Sequence, residues 1–415
     1  MEKILGNKKF LDRGWPSRAL ADGRKNLISL ADSDWYERRN IVSPSYSLSV
    51  LQGFIPTIVE QSLELVESLV KTNGKLVPIE PILQRHVLLM SLETSMGLKD
   101  RIDDRDRRII NEALERFFRS QYDRTAKVHR WNGFMNRMFD LITGNDNGSS
   151  SLQKCGLEIV SRRIQDFGLN CDGNEKIFTD FKNKRQQAFM DHMITMLIES
   201  KNSKYKLTME DVLDELIAIM ASSYESIVTA SQWALHCLAS YPEIQEKLFE
   251  SLANFDENDL NITIPFVNQF TYLDQCIKEA LRLRSPLFAM FRQVNENTQI
   301  DAEYTIPEGT LALVFLYFVH RDPKVYPCPE LYDPDRFSPK NVQKIPPEAY
   351  VPFGDGSRRC IGEKLAYLEL KLILASIVKK FRVITNDQDV RVKMGLASHP
   401  VRPIMLQFID RCQTD

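Results

Sequence analysis

At 415 residues with 43% hydrophobic content, the chain is long enough to bury one large core or two smaller ones. Its 54 Lys and Arg against 56 Asp and Glu leave a net charge of −2, which excludes a general nucleic-acid binder, because that needs a strongly basic surface. Seven scattered cysteines without C-x-x-C spacing exclude a zinc site and a disulfide framework, and they fit a reducing compartment.

The opening, Met1 to Gly14, is polar and lacks a signal-peptide pattern. No stretch reaches the ~18–20 apolar residues of a membrane-spanning helix. As given, the chain is expected to be soluble or peripheral. Trp35-x-x-x-Arg39 sets an indole N–H and a guanidinium one turn apart on a predicted helix. Two donors on one face suit an anion; a core Trp beside a surface Arg is the competing reading. From about Phe54 to Ile217, apolar residues recur at i, i+3, i+4 and i+7, as in PTIVEQSLELVESLVK, EPILQRHVLLMSLETSMG and KRQQAFMDHMITMLIES, which predicts amphipathic helices. TGNDNGSSS, Thr143 to Ser151, reads as an exposed loop.

Thr208-x-x-Asp211 is a capping box opening a helix that runs without Gly or Pro to about Ser240. Such a helix is about 48 Å long and is expected to cross the interior. Its middle reads Ser222, Ser223, Tyr224, Glu225, Ser226. Polar side chains inside a buried helix are costly unless used. A hydrated proton path would use them; serine hydroxyls bonded back to the helix carbonyls are the simpler alternative.

Glu279-x-x-Arg282 sets opposite charges one turn apart, and alone it would be a surface pair worth ~0.2–0.5 kcal/mol. After Arg284, QVNENTQIDAEYTIPEGTLALVFLYF alternates between turn residues and reads as short strands. The proline-rich stretch that follows is irregular; it holds Arg336, and its His320 reads as structural. Then comes FGDGSRRCIG, with a helix expected from about Ile361. Cationic neighbours and a helix N-terminus are what keep a metal-binding thiol deprotonated, and Cys360 follows Arg358 and Arg359 directly before that helix. Gly356 and Gly362 permit turns that a side chain would block. A phosphate loop is excluded, since no third glycine stands at Arg359 and no Lys-Ser pair follows. An ordinary buried cysteine would explain a lone Cys360, but not the spaced Phe, Gly, Arg, Cys, Gly set.

Phe353-x-x-Gly356-x-Arg358-x-Cys360-x-Gly362 resembles the haem-binding signature of the cytochrome P-450 family and matches it at every defining position. The resemblance implies a mainly α fold with small β-sheets, a triangular-prism helical haem domain forming a single catalytic domain over residues 1–415. It implies non-covalent haem b with iron ligated by Cys360. Trp35, Arg39, Arg292 and Arg358 would contact haem propionates, and Phe353, Gly356 and Gly362 would shape the cofactor loop. Glu279, Arg282 and Arg336 would form a buried structural charge network. Glu225 and Ser226 would deliver protons. Ser222, Leu287, Phe288, Ala289, Met290, Ala397 and Ser398 would line the substrate pocket. The family's A-G-x-[DE]-T becomes Ser222 to Ser226 here, with Ser223 in place of the glycine. The texture is nearest to the microsomal, animal fatty-acid hydroxylase branch. Ser222 stands where that branch often carries a haem-esterifying glutamate, hence the non-covalent cofactor.

By the same resemblance, the reaction inserts one oxygen atom from O2 into an apolar small molecule, such as a fatty acid, sterol, terpenoid or xenobiotic. Electrons would come from NADPH through a separate NADPH-cytochrome reductase flavoprotein, with a cytochrome b-type protein as a second donor. Arg38, Arg358, Arg359 and Lys364 would supply a cationic docking face. The location implied is the cytosolic face of the endoplasmic reticulum, although the family's anchor, hinge and first strands do not precede Trp35, so the domain reads as N-terminally short. Two alternatives stay open: a haem-thiolate isomerase or dehydratase acting on a peroxide without a reductase, and a truncated, non-catalytic form.

Overall fold

The computed structural model describes residues 2–98, 104–126, 148–166, 188–200, 206–256, 262–395 and 397–413. The longer helices among them are α1 (Asp32–Val42), α2 (Leu48–Val70), α3 (Ile79–Met96), α4 (Asp104–Ala126), α5 (Ser149–Asp166), α6 (Phe189–Glu199), α7 (Met209–Ser240), α8 (Pro242–Ser251), α9 (Thr271–Leu283) and α10 (Glu363–Lys380). The strands are β1 (Val77–Pro78), β2 (Ala289–Gln293), β3 (Thr298–Gln299), β4 (Thr305–Ile306), β5 (Leu311–Phe315), β6 (Phe381–Ile384), β7 (Val392–Met394), β8 (Ser398–Pro400) and β9 (Met405–Asp410).

The chain divides into two compact units. The first comprises Met1–Gly14, Phe54–Met90 and Ser223–Asp415, and the second Trp15–Gly53 and Ser91–Ser222. Every strand described lies in the first unit. There β1, β9 and β6 form one antiparallel sheet, with Val77 opposite Leu406 and Phe381 opposite Asp410. β2 pairs with β5 (Arg292 opposite Ala312), β3 with β4, and β7 with β8 (Lys393 opposite His399). Helices α8, α9 and α10 pack on one another in this unit. In the second unit α4 packs on α5, and α1 on α6.

α10 shows why a helix belongs at the centre. No Gly or Pro interrupts it, Glu363 sits in its first turn, and Lys379 and Lys380 sit in its last, matching the helix dipole. From Leu368 to Val378 every residue is buried, the pattern of a core helix and not of a half-wet one. Glu369 is among them, and burial alone pushes its carboxyl from 4.5 up to about 8. Below pH 4.5 folded and unfolded chains both hold that proton. As pH rises towards 8 only the unfolded chain gives it up, so stability is lost across that window. We expect Glu369→Gln to remove this loss, on the order of 3–5 kcal/mol. Urea midpoints should then diverge from wild type at pH 8 and converge at pH 4.5.

α7 begins where its capping box says it should. Thr208 N–H donates to Asp211 Oδ2 (2.9 Å), and Asp211 N–H donates back to Thr208 Oγ1 (3.1 Å). Three local expectations are corrected. Ser149 to Ser151 are the first turn of α5, not loop, while residues 143–147 lie outside the described residues. Leu316–Val319 closes as a short helix where a strand was expected, because pairing with β2 ends at Phe315. The helix behind the cysteine starts at Glu363, with Gly362 at its N-cap. Residues 184–187 of the third amphipathic segment also lie outside the described residues.

Candidate active site

The cysteine loop folds back on itself before entering α10. Gly354 N–H donates to Val351 O and Cys360 N–H donates to Phe353 O, both at 2.9 Å, and Gly356–Arg358 makes a single 3-10 turn. This leaves Cys360 exposed at the loop end. Gly356 has φ +67°, and a Cβ there would overlap the carbonyl oxygen of Leu5 and come within 3.0 Å of Gly6 Cα. Gly356→Ala is therefore expected to cost at least about 2 kcal/mol. A lower urea midpoint together with a lower haem-to-protein ratio would be the measured signs.

The polar opening segment, through Gly14, packs on this loop. Arg358 is buried, its Nε donates to Leu11 O (2.5 Å), and Arg13 Nη2 donates to Arg358 O (3.4 Å). Ile4 and Phe10 share a small core with Val294 just beyond β2. On β2, Arg292 is only 1% exposed. Its Nη1 donates to Phe291 O (2.8 Å), but its Nε and Nη2 have no partner. Burial first, then the charge of Arg13, push this guanidinium down to about 9, with Asp355 opposing. Alternation along a strand puts residues i and i+2 on one face. Met290 accordingly sits on the same face as Arg292, with its thioether 3.1 Å from where a Gly354 Cβ would be. Met290 thus lies against the cysteine loop instead of on an open wall.

Behind the loop, Glu279 and Arg282 are both fully buried. Arg282 meets the carboxylate in a fork, Nε to Oε2 at 2.7 Å and Nη2 to Oε1 at 2.8 Å, and Arg336 Nε reaches Oε1 at 3.3 Å. Burial pushes the Glu279 carboxyl up; the guanidinium of Arg282, the N–H of Asp333 and the charge of Arg336 work against it. Arg282 also donates to the carbonyls of His320, Pro329 and Leu331. The network reaches the cysteine loop through His320, whose Nε2 accepts from Val351 N–H (3.1 Å). Burial, then Arg282 and Arg321, push that imidazole down to about 3, so it stays neutral and keeps its acceptor. Tyr326 OH to Ala349 O and Tyr350 OH to Lys278 O pin the same stem.

A cytochrome P-450 family model matches residues 1–408. The chain belongs to the cytochrome P-450 family. It is similar to cytochrome P-450 4c21 of Blattella germanica, at 28% identity over 98% of this chain and 81% of that one. It is also similar to cytochrome P-450 4V2 of Rattus norvegicus (31%, covering 96% and 75%) and of Homo sapiens (30%, covering 95% and 75%). The mainly helical fold with small sheets is the P-450 fold, and the chain is a haem-thiolate monooxygenase, an oxidoreductase whose iron is held by a cysteine.

The P-450 cofactor fits what is present. A buried guanidinium with two unpartnered nitrogens, pressed by a second guanidinium, has no hydrogen-bonded anion on those nitrogens, and a haem propionate would be one. The exposed Cys360 closes the neighbouring loop. Among the described residues no helix is long and apolar enough to cross a membrane.

Trp35 is buried and Arg39 half-buried on α1 in the second unit. Arg38 is not a surface cation: it is 1% exposed and binds Asp211 Oδ1 (2.7 Å) and Glu215 Oε2 (3.1 Å), one turn apart on α7. It falls three residues after Trp35, on the same buried face of α1. Arg358 is likewise buried, and exposed Arg359 is tied to Glu363 (2.6 Å), which leaves Lys364 as the open charge of the proposed docking set. Ser222 is exposed and donates to Ala218 O (2.6 Å), and Ser226 donates to Ser223 O (3.4 Å), so both hydroxyls back-bond to the helix. Leu287, Phe288 and Ser398 share a cleft with Arg282 and His320 that has about 10 Å³ of internal space, room for one water at most. Ala397 is buried, Ala289 is half-buried, and Ser398 N–H donates to Pro286 O (2.8 Å), joining the two segments. Glu225 is hydrogen-bonded to His399, which no motif in the sequence marks.

Proposed function

We propose that this P-450 inserts one atom of O2 into an apolar small molecule, a fatty acid, sterol, terpenoid or xenobiotic, using electrons delivered from NADPH by a separate reductase. The two unpartnered nitrogens of the Arg292 guanidinium, beside the Cys360 loop, carry the reading, because they call for an anion there. Cys360 would hold the iron; Arg292 and Arg358 would face propionates, with Trp35 and Arg39 as further donors by family resemblance. Bound haem with a thiolate ligand supplies reductive O–O cleavage. The chain's own residues hold the loop, through Glu279, Arg282, Arg336 and His320, and keep an acid, Glu225, on α7 for proton delivery. Ser226, the next residue on α7, offers a hydroxyl for the same role. Leu287, Phe288, Ala289 and Ala397 offer apolar contact to substrate. An endoplasmic reticulum location and a cytochrome b-type second donor follow from the resemblance.

The test is reconstitution with an NADPH-cytochrome reductase, 18O2 and a panel of fatty acids and terpenoids. One labelled oxygen per product, dependent on the reductase, is expected. Turnover of a lipid hydroperoxide without the reductase would replace this reading with the isomerase one, and failure to take up haem would end it.

A further inference from the structure

We propose that His399 and Glu80 form a proton relay joining Glu225 to solvent; this rests on the monooxygenase reading above. His399 Nε2 is hydrogen-bonded to Glu225 Oε1, and its Nδ1 lies 3.7 Å from Glu80 Oε1. Both ring nitrogens therefore face a carboxylate, one in a hydrogen bond and one at ion-pair distance. Side-chain exposure rises along the row, from 12% at Glu225 to 19% at His399 and 26% at Glu80. The series thus leads from the buried middle of α7 outward to the first turn of α3.

The imidazole is held in place by its backbone. His399 lies in the β7–β8 hairpin, paired with Lys393. The preceding residue is clamped twice: Ser398 N–H donates to Pro286 O (2.8 Å), and Trp233 Nε1 donates to Ser398 O (2.7 Å). Trp233 is on α7, as Glu225 is, so the helix that carries the acid also fixes the hairpin that carries the histidine. A ring held between two carboxylates, with one nitrogen for each, can take a proton at Nδ1 and release one from Nε2.

Turning the second oxygen atom into water consumes two protons and two electrons. The reductase supplies the electrons and none pass through the relay. Each proton moves from water to Glu80 Oε1, to His399 Nδ1, and from Nε2 to Glu225 Oε1, which gives it up towards the reaction. The ring is reset when the proton left on Nδ1 passes to Nε2 through water, which restores the first tautomer.

The test uses the full haem-loaded chain with reductase. His399→Gln keeps a hydrogen-bonding amide opposite Glu225 but cannot pass a proton. It is expected to lower product formation about tenfold, below the ~10²–10⁴-fold of a group that itself exchanges the proton with the reacting atoms, because His399 acts through Glu225. Released peroxide should rise and the solvent isotope effect should grow. Glu80→Gln should move the same quantities in the same direction by less. Independently of turnover, urea midpoints of Glu225→Ala, His399→Ala and the double variant should be non-additive, the double no worse than the worse single. A His399→Gln enzyme with wild-type coupling and isotope effect overturns the relay while the monooxygenase reading stands, as do additive midpoints. If wild type itself shows no reductase-dependent product, that reading fails and the relay falls with it.

Discussion

Glu279→Ala is expected to destabilise the protein by about 3–5 kcal/mol, because it strands a buried guanidinium. Against a typical total of ~5–15 kcal/mol, that is enough to leave much of the chain unfolded at growth temperature. Arg282 has no water to turn to, being fully buried like its partner. It holds three backbone carbonyls as well, those of His320, Pro329 and Leu331. The loss should therefore reach the cysteine loop through the His320–Val351 bond. Thermal melts and haem-to-protein ratios should fall together. Glu279→Gln, which keeps one acceptor, should fall between the two. A stable, haem-loaded Glu279→Ala would show that the network is dispensable.

The second large effect is chemical. Cys360→Ser should lower product formation on the order of 10³-fold or more, as expected when a group acting in the chemical step is removed. The side chain is exposed, so its replacement should leave the urea midpoint of the haem-free protein within about 0.5 kcal/mol of wild type. That contrast separates a cofactor ligand from a folding residue. Lost activity with a large stability loss in the haem-free protein would argue that the thiol packs instead.

The features legible in the sequence were those written in local spacing. The capping box at Thr208 marked the start of α7, and the Phe353 to Gly362 spacing marked the loop. Glu279-x-x-Arg282 was visible as a pair, but its burial depended on residues far along the chain, Asp333 and Arg336 among them. Arg38 and Arg39 are adjacent letters, yet one is sealed against Asp211 and Glu215 while the other is half-buried. Two acids one turn apart near the start of an apolar helix were the signal that could have revealed this. His399 gave no signal at all. Its meeting with Glu225 depends on a hairpin register and on the Trp233 clamp, which neither residue's neighbours encode. The role of the first fourteen residues was hidden for the same reason: a polar segment reads as solvent-exposed until Leu5, Leu11 and Arg13 are seen against the cysteine loop.

The central claim is that Cys360 holds haem iron as a thiolate. The most direct test is the absorption spectrum of the purified, dithionite-reduced wild-type protein before and after carbon monoxide. A Soret band displaced far to the red is the predicted result. Haem bound with an undisplaced band would mean that the sulfur is protonated or away from the iron, and would contradict it.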